Sequence, residues 1–130
     1  MSAPGPGMTA AEFRCLRESL GLTRVQAADL LRVAERTVRR WELGEVAVPD
    51  GVAAELWRIV THTGNVRDEA ANDANESLTD PVVVVFRSDE DLWSARPSMR
   101  GWPASWHRVI AARVAVETGA RIVFDDETDP

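Results

Sequence analysis

The sequence predicts a mainly α-helical protein, in which a domain of short helices precedes a small α/β unit with the order strand, helix, helix, strand. Helix caps recur through the first half, and apolar residues follow them at helical spacing. Two short runs rich in valine and isoleucine, at 82–87 and 120–124, flank a longer helical stretch. Because 45% of the 130 residues are hydrophobic, the chain can bury a core.

The first two helices begin with the same signal. Thr9 is a candidate N-cap, and Glu12 completes a capping box three residues later. Thr23 and Gln26 repeat the pattern, and the second helix is expected to end near Arg32.

Two further helices follow at short intervals. The third is expected over about 34–43, with Val38 and Trp41 facing inward and Gly44 as its C-terminal stop. The fourth opens at Pro49 and carries an apolar stripe.

Composition divides the chain into five segments. We expect a disordered lead at 1–8, a helical domain at 9–64 and a polar helical extension or linker at 65–80. The α/β unit occupies 81–125, and an acidic tail occupies 126–130.

The α/β unit is expected to be only marginally stable on its own, because two strands and two helices bury little surface. Its first strand is apolar on both faces, and three tryptophans lie within fifteen positions. We therefore expect this unit to form a homodimer. The expected interface residues are Val82, Val84, Phe86, Trp93, Trp102 and Trp106.

Charge and composition narrow the possible partners. The net charge is −6, but residues 1–64 carry eight arginines and eight acids, so the excess acidity lies in the second half. There is no lysine, and every cation is a planar guanidinium suited to phosphates and guanine edges. No apolar run is long enough to cross a bilayer, and a single cysteine excludes an internal disulfide. We expect a cytoplasmic protein without a membrane partner.

The stretch from Leu20 to Gly44 carries the functional signal. Two short helices that meet at a steep angle need a small residue at their contact, and Ala28 occupies that position. Val38 and Trp41 are apolar anchors beyond the turn. This arrangement predicts a helix-turn-helix whose second helix projects polar side chains into a DNA major groove.

The same stretch resembles the helix-turn-helix of the phage-repressor superfamily (Cro and cI-like, or XRE). The matching pattern is LT-x-x-x-AA-x-L, a short turn, and RTV-x-RWE-x-G. With VPDGV opening the next helix, it is most similar to anti-CRISPR-associated and YdiL-like regulators. In that group the second half is a small α/β unit thought to drive dimerisation. Over 81–124 the resemblance rests on element order and on ASWHRVIAARVAVETGARIVF.

The resemblance implies a role for each matching position. Glu35, Arg36 and Arg40 match positions that reach base edges. Arg24 matches a position that contacts phosphate or an outer base. Arg17 and Glu42 match a pair of residues that forms a buried ion pair. Further phosphate contacts are expected at Thr37 and Arg39. Two positions depart from the pattern: Arg32 stands where the turn usually has glycine, and Ala34 replaces the usual Ser or Thr cap of the recognition helix.

The resulting hypothesis is a homodimeric repressor that binds a palindromic operator in double-stranded DNA. An antitoxin whose second unit binds a toxin protein is the main alternative. A nucleoid or phage protein that binds a host enzyme, and an RNA-binding protein, also remain open. No convergent nucleophile, acid and base set indicates an enzyme, and no cofactor or metal site is expected, since His62, His107 and Cys15 lack metal-ligand spacing.

Overall fold

The computed structural model describes residues 7–128, so most of the expected lead (1–6) and the end of the expected acidic tail (129–130) lie outside the described residues. The chain is mainly helical and divides into two compact units, 1–62 and 63–130. Within the described part, no helix combines the length and the apolar character needed to cross a bilayer.

The first unit is a set of short helices. Thr9 and Glu12 form the predicted capping box, and so do Thr23 and Gln26. Phe13, in the middle of the first helix, has no exposed surface. The helices are α1 (Ala10–Ser19), α2 (Arg24–Leu31), α3 (Glu35–Glu42) and α4 (Asp50–Asn75), the last of which continues into the second unit.

Helix α4 includes most of the polar segment after residue 64, where the sequence predicts a helical extension that frays into a linker. The helix continues to Asn75, and residues 76–80 lie beyond it. Ala71 is only 4% exposed, and Arg67 forms an ion pair of 2.5 Å with Glu117 in the same unit. Packing of this kind outweighs the weak helix propensity of a polar segment.

The second unit places two parallel strands beside two helices. Strand β1 (Val82–Val85) pairs with β2 (Arg121–Phe124), with Val82 opposite Arg121. Helices α5 (Asp89–Ala95) and α6 (Ala104–Thr118) lie between the strands in sequence, with a 3-10 turn at Pro97–Met99. The predicted element order is therefore observed, although β1 ends two residues earlier than expected.

His107 is the buried titratable side chain of α6. It is 6% exposed, and its ring centroid lies 5.9 Å from that of Phe86. Burial, together with the positive charges of Arg96 and Arg108, lowers the pKa of this imidazole from 6.5 to about 4, and burial is the largest of these causes. The ring is therefore neutral at neutral pH.

This lowered pKa predicts that the second unit loses stability on acidification. As the pH falls from 6.5 towards 4, the unfolded chain binds a proton at His107 that the folded chain does not bind. The expected loss is about 1.4 kcal/mol per pH unit, or about 3 kcal/mol in all. Urea denaturation of the wild type, His107→Phe and the exposed-histidine control His62→Gln measures it. His107→Phe should flatten the profile over this window and His62→Gln should not, and identical profiles for all three would contradict the assignment.

Candidate nucleic-acid interface

The turn between α2 and α3 adopts a conformation that usually favours glycine. Arg32 has φ 59° and ψ 45°, in the left-handed region. A left-handed L-residue costs about 1–2 kcal/mol, so the chain accepts local strain to make this turn. The Val33 N–H donates to the Ala28 carbonyl at 3.0 Å and ties the turn back to α2. Arg32 thus replaces the usual glycine of this turn but adopts the left-handed backbone conformation that favours glycine.

Helix α3 begins without a side-chain cap. Ala34 has the extended backbone of an N-cap residue, with φ −75° and ψ 148°, but its methyl group accepts no hydrogen bond. Thr37 N–H donates to the Ala34 carbonyl at 3.0 Å, but the first turn of α3 has no side-chain acceptor for its N–H groups. Together with the helix dipole, they make the start of α3 favourable for negatively charged groups.

Helix α3 has one buried side and one exposed side. Val38 and Trp41 are buried, and the Trp41 ring meets Phe13 edge to face, with centroids 5.5 Å apart. This contact fixes the rotation of α3 about its axis, so the positions on the opposite side of the helix face outward. The exposed residues are Glu35, Arg36, Arg39 and Arg40, with Thr37 half-buried beside them.

The exposed guanidinium groups of α3 are only weakly held. Arg40 Nε lies 3.5 Å from Glu45 Oε2, and both side chains are more than half exposed. An ion pair of this kind contributes little to stability and exchanges easily for another partner. Within residues 7–128, no carboxylate pairs with Arg36 or Arg39. This face can therefore present three cations to a phosphate or a base edge.

A buried ion pair links α1 to the end of α3. Arg17 Nε lies 2.5 Å from Glu42 Oε2, and the second guanidinium nitrogen donates to Oε1 at 2.9 Å. The two side chains are 8% and 3% exposed. Arg17 also donates to the Leu22 carbonyl at 2.8 Å. The carboxylate raises the pKa of Arg17, mainly through these hydrogen bonds, so the guanidinium stays charged despite its burial.

Arg24 joins this pair from the first turn of α2. Its Nε lies 3.5 Å from Glu42 Oε1, and its side chain is 39% exposed. Glu42 thus binds a buried guanidinium and also restrains a partly exposed one. The structure therefore brings together Arg17, Arg24 and Glu42, which the sequence analysis singled out, because the Glu42 carboxylate contacts both arginines.

The residues expected to form a dimer interface do not all lie on the surface. Phe86 and Trp106 are 4% and 1% exposed, because both are part of the core of the second unit. The Trp106 indole donates to the Thr63 hydroxyl at 2.9 Å and stacks on Trp102 at 4.4 Å between ring centroids. The predicted dimer interface therefore needs correction at Phe86 and Trp106, because both side chains are already buried within a single chain.

The other four expected interface residues retain some exposed surface. Val84 and Trp93 pack against the core cluster around Leu92 and are half-buried. Trp93 donates its indole hydrogen to the Trp102 carbonyl at 2.8 Å. Val82 is 51% exposed. Sequence reasoning missed three exposed apolar residues of the same unit, Leu78, Val116 (89%) and Ile122 (41%).

Comparison with known proteins places both units in one family. Among residues 7–128, no group of three or more histidine, cysteine or acidic side chains is arranged to hold a metal ion. Curated proteins give no match to the chain. A family model described as Aca2/YdiL-like matches residues 8–121, which include all six α-helices and β1 and end at the first residue of β2. Because this match covers most of the 130 residues, the chain belongs to the Aca2/YdiL-like family.

Proposed function

We propose that the protein is a transcriptional repressor that binds an inverted repeat in DNA as a homodimer, through a λ-repressor-like helix-turn-helix. The observation that carries this proposal is the exposed face of α3, where Arg36, Arg39 and Arg40 project from a helix held in place by Val38 and Trp41. A helix of this kind fits the width of the major groove. Membership of a family of regulators supports the same conclusion.

Base reading is assigned to three residues of α3. Arg36 and Arg40 are four positions apart on a helix, so both can reach the floor of one groove. Each can donate two hydrogen bonds to a guanine, with a discrimination of about 1–3 kcal/mol. Glu35 is an acid near phosphates, which is unfavourable unless it accepts a hydrogen bond, and the cytosine N4 amino group is the matching donor. From these assignments we expect each half-site to contain G·C pairs.

Backbone binding is assigned to Arg24, Thr37 and Arg39. Arg24 lies at the start of α2, where its contact with Glu42 restrains it without neutralising it fully. Thr37 and Arg39 lie on α3 beside the base-reading residues. Contacts of this kind set the register on the duplex and carry no sequence information. Because they displace counterions, affinity should fall steeply with salt.

Dimerisation is assigned to the second unit. Within the described residues its sheet has only two strands, so each strand has one edge without a strand partner. Val82 of β1 and Ile122 of β2 are exposed apolar side chains of this sheet. A second copy that covers them would remove both the open edges and the exposed apolar surface. Two recognition helices would then reach half-sites whose centres lie roughly 34 Å apart.

Selection of bound duplexes from a random pool tests the proposal. The wild type should enrich an inverted repeat with G·C pairs, and the mass of the complex should correspond to two chains per duplex. Arg36→Ala should weaken binding to the selected site about 5- to 150-fold, equivalent to 1–3 kcal/mol, and relax one position of each half-site. Glu35→Ala should relax a cytosine position.

The matched control is Arg58→Ala on α4, which removes one exposed guanidinium (69% exposed) but leaves α3 intact. It should reduce affinity only slightly and leave the selected sequence unchanged. The proposal fails if the wild type enriches no sequence, or if Arg36→Ala and Arg58→Ala weaken binding equally at every site.

A further inference from the structure

The second unit contains a cavity whose lining, apart from Val82, is separate from the residues assigned above to DNA binding and dimerisation. Its volume is about 210 Å³. The walls come from the second half of α4, the start of β1, the 3-10 turn and α6, all within the same unit. Most of the lining is apolar, including Val66, Ala70, Met99, Ile110 and Val114. An apolar cavity of about 150 Å³ already admits benzene, so this one has room for a small organic molecule.

One polar group in the cavity wall has an unmet hydrogen-bonding capacity. His107 lines the cavity and is 94% buried, since only 6% of its surface is exposed. Its Nδ1 atom has no hydrogen-bond partner among the described residues. Buried nitrogens are nearly always paired with protein, water or ligand. His107 carries this unpaired nitrogen and also lines the cavity, so a polar ligand in the cavity is a candidate for the missing partner.

The charges at the cavity indicate which kind of molecule this is. Arg96 lines the cavity on its exposed side, and within residues 7–128 no carboxylate forms an ion pair with it. Arg96 and Arg108 are the charged groups that act on the His107 ring, and both are positive. Asp73 on α4 is the carboxylate in the lining, but it is not among the groups that influence His107. The charges that act at the His107 end of the cavity are therefore both positive, which favours an anion.

We propose that this cavity is a binding site for a small apolar carboxylate of about the size of benzoate. The carboxylate group accepts two parallel hydrogen bonds from the Arg96 guanidinium and, in the Nδ1–H tautomer of the neutral imidazole, a third from His107. The apolar part lies against Ile110 and Val114. Nothing in this site depends on DNA binding, so it can be tested whether or not the proposed repressor function holds.

Titration of the full chain with matched probes tests the site. Benzoate is compared with benzyl alcohol, which has about the same size without the charge, and with benzylammonium, which reverses the charge. Amide shifts of cavity residues in NMR spectra report where each probe binds. Benzoate should bind at least about tenfold more tightly than benzyl alcohol, equivalent to about 1.4 kcal/mol. The shifts should centre on Ile110, Ala111 and Val114.

Two variants and one matched control separate charge from shape. Arg96→Gln should weaken benzoate binding about tenfold and leave benzyl alcohol unchanged. Ala70→Leu fills space in the cavity from a half-buried position and should abolish binding of both. Arg100→Gln removes an exposed guanidinium that lies over the Trp93 ring rather than in the cavity lining, and should change neither affinity.

Three results would overturn the proposal. No shifts at cavity residues with benzoate at tens of millimolar would mean that the space stays closed. Tighter binding of benzylammonium than of benzoate would show that Asp73, not Arg96, dominates the site. Conversion of the wild-type oligomer to a monomer by Ala70→Leu, without benzoate binding to the wild type, would assign the cavity to a second copy of the chain.

Discussion

Replacement of Glu42 by alanine should lower the free energy of unfolding of the first unit by about 3–5 kcal/mol. The substitution removes the carboxylate that binds Arg17 at 2.5 and 2.9 Å and leaves a guanidinium buried with only the Leu22 carbonyl at 2.8 Å. An unpaired buried charge costs far more than the intact pair contributes. Most small domains have only 5–15 kcal/mol of stability in total, so the first unit should be largely destabilised.

Native-state hydrogen exchange is the suitable measurement, because it reports the stability of α1 and α3 separately from the second unit. Glu18→Ala is the matched control, since Glu18 pairs with Arg14 at 3.6 Å on the exposed side of α1 and its loss should cost less than about 1 kcal/mol. The double variant Arg17→Met, Glu42→Leu should recover most of the loss. Equal effects of Glu42→Ala and Glu18→Ala would show that the pair is not truly buried.

Glu42 also connects stability to the proposed DNA contacts. Because its Oε1 atom lies 3.5 Å from Arg24 Nε, the double variant that restores stability should still leave Arg24 unrestrained. Such a protein should fold and yet bind its selected duplex more weakly, as a phosphate contact loses its pre-organisation. The same carboxylate thus stabilises the first unit and orients part of the candidate interface.

The helices of the first unit could be predicted from the sequence because their signals are local. The capping boxes at Thr9 and Thr23 each depend on residues three positions apart, and both form as expected. The missing cap at Ala34 was also visible from residue type alone. The conformation of Arg32 was not, because an arginine in a turn is compatible with a strained left-handed backbone or with a different turn.

The second unit was harder to predict because its important contacts join distant residues. The sequence shows that Trp102 and Trp106 are both large and apolar, but not which of them is enclosed. Trp106 is the enclosed one, and its indole forms a hydrogen bond with Thr63, which lies 43 positions earlier in the chain. The cavity was missed for the same reason, since α4, β1 and α6 form its walls only after folding. The unpaired His107 nitrogen has no sequence signal at all.

Trp106→Ala should destabilise the second unit by about 3–5 kcal/mol. The indole is 1% exposed, so its removal opens a large void, and the buried Thr63 hydroxyl loses the N–H that donates to it at 2.9 Å. Trp106→Phe should cost less, because a ring still fills much of the space. Hydrogen exchange of the α6 amides measures the effect, and a loss below about 1 kcal/mol would mean that the ring is not part of the core.

The comparison with Ile122→Asp separates core from interface. Ile122 is 41% exposed on β2, so a charge there is solvated in a single chain and destabilises only an assembly that covers it. Ile122→Asp should therefore leave α6 protected from exchange while it converts the proposed dimer to monomer in mass measurements. Trp106→Ala should remove α6 protection even when the protein concentration is raised, because added partner cannot refill a void inside the chain. If Trp106→Ala instead converted the protein to monomer and left α6 protected, Trp106 would belong to the dimer interface, as the sequence analysis predicted.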